Sequence, residues 1–337
     1  MEPQIIAVDL AKKVFQVHLV DAATGTMRSK VVKRAQLMTF FANFPPSRVA
    51  MEACGSAHFW ARQFRKLGHE VRLIAAQFAR PYVKSNKNDA ADAAAIWEAA
   101  QRPGMRFVAV KTEDQQAVLA IHRIRQQLIK VRVMQVNQLR GVLYEFGVVL
   151  PEGRQAGIAS AKVALAALAQ QIPAMLIDSL QDQISRLLAL DEQIGHLERR
   201  ITEWRRHDEA SSRVSEIPGV GLLTATAAVA VIGDARSFKS GREFAAYLGL
   251  VPRQNGSGGK VKLSGISKRG DVYLRTLLIH GARSVISSSK HLSGSVQALL
   301  ARRPTNVVAV ALANKTARII WAMLAHGRTY QSASIAS

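Results

Sequence analysis

Four acidic residues occupy positions from which their carboxylates could act together. Asp9 ends the apolar run IIAVD, and Glu52 ends the apolar run RVAME. Asp89 and Asp92 stand three residues apart in NDAADAAA, so a helix would place them on one face, where they repel each other by roughly a few tenths of a kcal/mol. A carboxylate that ends a buried strand is costly unless it is paired or bound to a metal ion. The four acids therefore predict a positive charge close by.

Each acid also has a structural explanation when it is taken alone. Asn88 could cap a helix whose first turn favours acidic residues, Asp9 could cap a turn, and Glu52 could pair with a lysine or arginine. The set of four is stronger than its parts, because oxygen donors with no histidine or cysteine companion suit magnesium or manganese. Such ions stabilise the attacking and leaving oxygens of a phosphodiester displacement. The acids are thus predicted to be both metal ligands and catalytic residues.

A second candidate centre is the stretch GLVPRQNGSGGKVKLSGISKRGD at 249–271, in which glycines alternate with cations and with the hydroxyls of Ser257, Ser264 and Ser267. Glycines let the backbone approach a phosphate closely, and cations neutralise its charge. The stretch is not a Walker loop, because no G-K-[ST] ends it. A merely flexible basic loop is the alternative. The cations predicted to bind nucleic acid are Arg253, Lys260, Lys262, Lys268 and Arg269.

The elements that position the acids are predicted from the first 110 residues. QIIAVDLAKKVFQVHLVD contains two β-rich runs, and TMRSKVVKR is a third. A helix near 35–43, the strand RVAMEA, a helix around 57–67, the strand EVRLIA and a helix beginning at Asn88 follow. Three antiparallel strands followed by alternating helices and strands are an α/β order, that of a ribonuclease-H-like fold. In such a sheet the four acids converge at one edge.

From Thr112 to about Arg206 strand signals vanish and apolar residues repeat every seven, which predicts a coiled-coil arm. The main seam comprises Leu180, Leu187, Ile194 and Ile201, with Leu190, Leu197 and Trp204. A shorter heptad, interrupted by Gln135, comprises Ile121, Leu128 and Val142, with Ile124 and Val131. The two seams could pair within one chain or across two chains, or the arm could pack on its own domain.

A third region begins near Val214 with the turn Pro-Gly-Val-Gly between two apolar helical runs. Such a turn places unsatisfied N–H groups at a helix N-terminus, where they can bind a phosphate. This resembles a helix-hairpin-helix, a sequence-independent DNA-binding motif, with Gly219 and Gly221 at the nucleic acid; a plain interhelical turn is the alternative.

Composition favours a nucleic acid as the partner. The chain has 337 residues, 48% of them hydrophobic, and a formal net charge of +22. From Gly249 onward there are 13 lysines and arginines against one acid, Asp271. A single cysteine, Cys54, excludes an internal disulfide framework, and the N-terminus does not resemble a signal peptide. The apolar segment NVVAVALANKTARIIWAMLAHG is interrupted by polar residues and is predicted to be a packed helix rather than a membrane span.

These residues together resemble a known family. The order D, E, D-x-x-D, the stretch MEACGSAHFW, the turn IPGVG and the run AAYLGLVPRQNGSGGK with GISKRGDVYLR closely resemble the DEDD transposases of the IS110 family, its IS1111 subgroup in particular. Piv-type DNA invertases are relatives of this family. The resemblance spans nearly the whole chain.

The resemblance implies a fold of α/β plus α class in three parts: a RuvC-like domain at 1–111, a coiled-coil arm at 112–208, and a mainly helical transposase domain with the helix-hairpin-helix at 209–337. It places the family's acids on Asp9, Glu52, Asp89 and Asp92, with Mg²⁺ or Mn²⁺, and its serine nucleophile on Ser257. Gly256 is a departure, because relatives carry a larger residue there; Ser264 is the fallback nucleophile. The implied partners are donor DNA, target DNA and a bridge RNA that pairs with both.

The resulting hypothesis is an RNA-guided recombinase of the bacterial cytoplasm, associated with the nucleoid, in which serine attacks a phosphodiester and metal-bound carboxylates assist. The alternatives are a hydrolytic RuvC-like junction nuclease and a non-catalytic nucleic-acid-binding protein. Because a recombinase handles two duplexes, we expect a dimer or tetramer with the seam from Leu180 to Trp204 joining protomers.

Overall fold

The computed structural model describes residues 4–20, 24–83, 89–257, 260–288 and 292–331. The chain divides into two compact units, the first made of residues 1–113 with 232–240 and the second of residues 114–231 with 241–337. The three-part division inferred from the resemblance stays a prediction.

The first unit is built on a six-stranded sheet. Its strands are β1 (Ile5–Leu10), β2 (Val14–Val20), β3 (Met27–Lys33), β4 (Arg48–Glu52), β5 (Glu70–Ile74) and β6 (Phe107–Val108), in the order β3-β2-β1-β4-β5-β6. β1 to β3 are antiparallel, β4 and β5 run parallel to β1, and β6 is antiparallel to β5. The helices are α1 (Leu37–Ala42), α2 (Ala57–Lys66), α3 (Ala76–Ala79) and α4 (Asp89–Gln101). The mixed α/β prediction is confirmed; β6 was not predicted, and the expected cap Asn88 lies outside the described residues.

Strand alternation gives the sheet two unlike faces. The face that packs with α1 and α2 is filled by large side chains, among them Ile6, Val8, Phe41, Val49, Met51 and Phe64. The opposite face is lined by small ones, with Ala7 and Ala50 of the strands packing in one cluster with Ile96, Ala99 and Ala100 of α4. Because alternate strand residues share a face, Asp9 follows Ala7, and Glu52 follows Ala50, onto the face that α4 covers.

Long helices dominate the second unit. They are α5 (Glu113–Glu145), which begins at the end of the first unit, α6 (Arg154–Leu168) and α7 (Ala174–His207). α5 and α7 are antiparallel, because Arg125 pairs with Glu198 while Arg132 pairs with Asp191. Side chains of all three helices form one buried cluster, which includes Leu139, Leu143, Ile158, Leu165, Leu180 and Leu187.

The heptad positions of the main seam are buried within the chain, whereas Leu190, Leu197 and Trp204 are half-buried. Leu180, Leu187, Ile194 and Ile201 are each at most 5% exposed. The expectation that this seam joins protomers is therefore wrong for these positions, because their side chains are already buried in their own chain. The shorter heptad is also partly wrong: Ile124 is 49% exposed, and the buried residues of that half of α5 are Val118, Leu119 and His122.

The remainder of the second unit contains α8 (Glu209–Val214), α9 (Leu222–Ile232), α10 (Gly241–Tyr247), α11 (Val272–Ser288), α12 (Gly294–Leu300) and α13 (Thr305–His326). α13 is long and apolar enough to cross a membrane by length and composition. It contacts α10 and α11, and its residues Val308, Ala309, Ala313, Ala317 and Ile320 are fully or almost fully buried. It is a core helix of this unit, as the sequence predicts.

A β-hairpin interrupts these helices where the sequence left open a flexible basic loop. β7 (Pro252–Ser257) and β8 (Lys260–Ile266) are antiparallel. The base of the hairpin is held through main-chain carbonyls. Arg275, itself buried, donates to the carbonyl oxygens of Leu248 and Arg269 at 2.9 and 2.7 Å, and Asn314 donates to that of Leu250 at 3.1 Å.

The buried seam yields a prediction about stability and assembly. Leu187→Ala should lower the free energy of unfolding by about 2–5 kcal/mol, because it empties a fully buried site, and should leave the molar mass unchanged. Chemical denaturation and light scattering measure the two quantities. Leu188→Ala is the matched control, since the neighbouring leucine is 44% exposed and its loss should cost less than about 1 kcal/mol. A fall in molar mass with an intact fold would restore the seam as an interface between protomers.

Candidate active site

The four acids of the first unit meet on the α4 side of the sheet. Asp9 and Glu52 stand on adjacent parallel strands, one residue beyond the paired Val8 and Met51, and Asp89 and Asp92 form the first turn of α4. Burial, followed by the charges of Asp92, Asp89 and Glu52, raises the pKa of the Asp9 carboxyl from 3.8 to about 6. Asp9 is therefore close enough to the other three carboxylates for their charges to act on it.

The donor set fits a divalent cation. All four groups are carboxylates, the ligands that magnesium and manganese prefer, and within the described residues no ion pair neutralises any of them. Among the described residues, no three acidic, histidine or cysteine side chains lie in a group that could hold a metal ion as they stand. The carboxylates would thus draw closer around a bound cation, whose charge would replace their mutual repulsion with attraction.

The turn after β4 lies beside these acids. Burial, with the charges of Glu52 and Asp9, raises the pKa of the Cys54 thiol, which disfavours the thiolate and argues against a nucleophilic cysteine. Ser56 has a left-handed backbone (φ 67°) and precedes α2. Its conformation turns the chain sharply from the strand that carries Glu52 into the helix behind it.

Trp97 fixes the position of the acid-bearing helix, and sequence reasoning missed it. The buried residues of α4 are four alanines and Ile96, so few large side chains lock the register of the helix on the sheet. Trp97 supplies a directional contact, since its indole Nε1 donates to the carbonyl oxygen of Ile5 on β1 at 3.1 Å. Its ring packs edge-on against His18 of β2, whose pKa is lowered by burial. A lone tryptophan in an alanine-rich helix was the signal available in the sequence.

The hairpin carries the second predicted centre. The register pairs Ser257 with Lys260 and Asn255 with Lys262. The side chains of Arg253, Lys260, Lys262 and Ser264 are exposed on the strands, and those of Lys268 and Arg269 are exposed between β8 and α11. Gly256 is required by the hairpin itself, because a Cβ there would lie 2.6 Å from the carbonyl oxygen of Lys260. This close approach explains a glycine where the resemblance leads one to expect a larger residue.

The two glycines of the Pro-Gly-Val-Gly turn differ in their surroundings. Gly219 has a φ of 81° and packs against α11, where a Cβ would lie 2.7 Å from the carbonyl oxygen of Gly281. Gly221 is exposed at the start of α9, with open space where a Cβ would be. Packing against α11 accounts for the glycine at position 219. Phosphate binding by this turn stays a prediction, and Gly221 is the glycine that packing does not explain.

Family models match both centres. A model described as "Transposase", of the DEDD type of IS110, matches residues 6–147, which include the four acids. A model described as "Transposase IS116/IS110/IS902 family" matches residues 211–297, which include Ser257.

Relatives match along nearly the whole chain. It is 50% identical to a "Probable family 20 transposase" of Pseudomonas aeruginosa, over 97% of this chain and 98% of the relative. It is 44% identical to the transposase for insertion sequence element IS1328 of Yersinia enterocolitica, over 97% and 98% of the two chains. It is 43% identical to the transposase for insertion sequence element IS1111A of Coxiella burnetii, over 97% and 91%.

The raised pKa of Asp9 predicts a pH-dependent cost of folding. Because the carboxyl has a pKa of about 6 in the folded chain and an ordinary value of 3.8, the folded state binds more protons between these values, and stability falls as pH rises from about 4 to 6. Without metal, Asp9→Asn should therefore be more stable than the parent at pH 7.5, by about 1 kcal/mol after discounting for partial exposure, and lose that advantage near pH 4.

Chemical denaturation in chelator across this pH range measures the difference. Asp182→Asn, at an exposed position on α7, controls for the loss of one negative charge. Added Mg²⁺ should stabilise the parent but not Asp9→Asn. An Asp9→Asn protein that is less stable than the parent at pH 7.5 would contradict the repulsion.

The Trp97 contact predicts a selective loss of metal affinity. Trp97→Phe removes the Nε1 donor and should cost about 1 kcal/mol of stability, and it should raise several-fold the Mg²⁺ concentration that gives half-maximal thermal stabilisation. Ile96→Val is the matched control, because it trims a buried neighbour in the same helix at a similar cost in stability but leaves the hydrogen bond intact. Equal shifts in Mg²⁺ dependence for the two variants would show that Trp97 only stabilises the fold.

Proposed function

Because the chain belongs to the IS110/IS116/IS902 family of transposases, enzymes that cleave and rejoin DNA, we propose that it does so through a covalent bond between Ser257 and DNA. The four carboxylates at Asp9, Glu52, Asp89 and Asp92 would hold Mg²⁺, or Mn²⁺ in its place, and the ion would supply Lewis-acid assistance to this step. The observation that supports the proposal most directly is the position of these four acids on the α4 face of the sheet, where burial, followed by the charges of the other three, raises the pKa of Asp9 to about 6.

The chemistry of the serine step is a transesterification. The Ser257 oxygen loses its proton and forms a bond to phosphorus, while the bond from phosphorus to one DNA oxygen breaks and that oxygen takes up a proton as a free hydroxyl end. Rejoining is the reverse reaction, in which a DNA hydroxyl attacks the serine ester and restores the serine. The ester retains the energy of the broken bond, so the cycle needs no nucleotide cofactor.

Residues of the two centres have separate roles in this proposal. A divalent ion on the carboxylates would polarise the scissile phosphate. Arg253 and Lys260, exposed on the hairpin that carries Ser257, offset the charge that the phosphate gains in the transition state. Gly256 keeps β7 and β8 close together next to the serine. The proposal requires both centres to act on one phosphodiester, supplied by one chain or by two chains of a dimer or tetramer.

The proposed nucleic-acid partners follow from charge. Donor and target DNA and a guiding bridge RNA are all polyanions, and the last quarter of this chain carries most of its surplus positive charge. Lys262, Lys268 and Arg269 on or beside the hairpin, and Gly221 at the start of α9, are proposed to contact phosphates. Base pairing with a guide would supply sequence specificity that a backbone-binding surface lacks. The proposed location is the bacterial cytoplasm, at the nucleoid.

A hydrolytic nuclease that uses only the carboxylates is the rival function, and a substrate that traps the covalent state distinguishes the two. With Mg²⁺ and a suicide DNA, the parent should form a covalent protein–DNA species that denaturing electrophoresis resolves, and Ser257→Ala should not. Each change of Asp9→Asn, Glu52→Gln, Asp89→Asn or Asp92→Asn should abolish it, as should chelation by EDTA.

Ser264→Ala is the matched control, because Ser264 is an exposed serine on the other strand of the same hairpin. It should retain the adduct. Cleavage by Ser257→Ala at the parent rate, with free ends and no adduct, would establish the hydrolytic reaction. An adduct lost in Ser264→Ala but kept in Ser257→Ala would move the nucleophile to the other strand.

A further inference from the structure

An open cleft lies in the helical arm, away from the serine hairpin in sequence and outside the acid quartet. Its volume is about 550 Å³, and it is lined by Arg132 of α5 and by Gly153, Arg154, Gln155 and Ala156 at the start of α6. No residue of either proposed catalytic centre lines it.

Charge in this part of the arm is unbalanced. One heptad away, Arg125 and Glu198 form a one-to-one pair, with Nε and Nη2 of the arginine 2.8 and 2.6 Å from a single carboxylate oxygen. At the cleft, Arg132 and Arg154 both donate through Nη1 to the same oxygen, Oδ1 of Asp191, at 2.7 Å each. Two guanidinium groups therefore share one carboxylate, so Asp191 balances only one of their two positive charges.

The donors at the cleft are also incompletely used. The Nε of Arg154 is buried and has no hydrogen-bond partner among the described residues. A buried donor of this kind is costly unless a water molecule or a ligand satisfies it. Among the described residues Arg154 donates only through Nη1 and its side chain is 36% exposed, so Nη2 can pair with a further acceptor while Nη1 keeps its bond to Asp191.

The carbonyl groups that would repel an anion are bound elsewhere. Arg140 donates to the carbonyl oxygens of Leu150, Pro151 and Gly153 at 3.2, 2.6 and 3.0 Å. Of these three residues Gly153 lines the cleft, so the guanidinium of Arg140 offsets the negative end of a carbonyl group there.

We propose that this cleft binds a phosphodiester group of nucleic acid, with Arg132 and Arg154 as the binding residues and Asp191 as the group that holds both guanidiniums in place. Guanidinium groups bind phosphate oxygens in a forked geometry and carry no base specificity, so the contact is independent of sequence. The inference rests on the proposed handling of nucleic acid, and it adds a backbone contact in the arm to those of the hairpin. The net charge of +22 favours a polyanion over free phosphate as the source of the group.

Binding of labelled duplex DNA and of labelled hairpin RNA of unrelated sequence, followed by fluorescence anisotropy over a range of salt, tests the site. All proteins carry Ser257→Ala so that no strand is cleaved. Arg154→Gln should weaken binding of at least one of the two nucleic acids about fivefold and reduce the slope of log affinity against log salt by about one. Arg154→Lys, which keeps the charge but loses the fork, should lie between this variant and the parent.

Two further variants separate the proposal from a structural role. Arg125→Gln removes a positive charge from the same helix at the balanced pair, and its affinity should stay within about twofold of the parent. Asp191→Asn removes the negative charge at the cleft but keeps Oδ1 as an acceptor for both guanidiniums, so binding should become several-fold tighter even if the arm loses stability. A merely structural bridge predicts the opposite, because loosening the arm would weaken binding.

Equal affinities for Arg154→Gln and Arg125→Gln, or unchanged or weaker binding by Asp191→Asn, would overturn the proposal. A thermal shift assay with inorganic phosphate gives a further outcome. If phosphate stabilises the parent but not Arg154→Gln, and the two proteins bind the oligonucleotides equally, the site binds free phosphate and the proposal is overturned. The serine–DNA adduct assay reports on the proposed recombination separately, so failure of one inference leaves the other standing.

Discussion

The partial burial of Asp9 beside three further carboxylates is the constraint around which the first unit is organised. The fold brings Asp9 and Glu52 together by placing them on adjacent parallel strands, and α4 adds Asp89 and Asp92 from above the same face. Burying Asp9 beside the other carboxylates costs stability, as the raised pKa of its carboxyl indicates. The cost is met by packing on the other face of the sheet, where large aromatic and aliphatic side chains form the main core of the unit. One face of the sheet thus supplies stability and the other holds the site.

Small side chains allow α4 to lie close to the sheet, but the helix then needs another contact to fix its register. Alanines on the strands and on the helix allow the helix to lie near the sheet, but they leave its register weakly specified. The hydrogen bond from Trp97 to Ile5 adds the directional contact that alanines lack. The same strand, β1, carries Ile5 and Asp9, so the contact relates the helical acids directly to the strand that bears the most perturbed carboxyl.

Much of the first unit could be predicted from sequence because its signals are local. Apolar runs that end in an acid mark both a strand and the end at which its carboxylate emerges, and period-two alternation then assigns Asp9 and Glu52 to one face. The two-residue strand β6 was not predictable, because its pairing with β5 rather than its own composition defines it. The role of Trp97 was not predicted for a similar reason. Its hydrogen-bond partner is a backbone carbonyl 92 residues away, and no local sequence pattern encodes such a contact.

The arm and the hairpin show where sequence patterns are ambiguous. The heptads correctly marked buried positions on α7, but a heptad does not specify which helix covers it, and α5 and α6 of the same chain do so here. The glycine-rich stretch was open to interpretation as a loop, because glycine permits many conformations, whereas the close approach at Gly256 allows a paired hairpin.

The anchoring of that hairpin has a consequence for how the family can diversify. Arg275 and Asn314 donate hydrogen bonds to main-chain oxygens at the base of the hairpin, those of Leu248, Leu250 and Arg269. These bonds do not depend on the side chains at the accepting positions. Exposed side chains of the strands can therefore change without loss of the hydrogen bonds that hold the base of the hairpin. Apart from Gly256 and the proposed nucleophile Ser257, the hairpin can therefore exchange its charged and hydroxyl side chains while the helices around its base stay as they are.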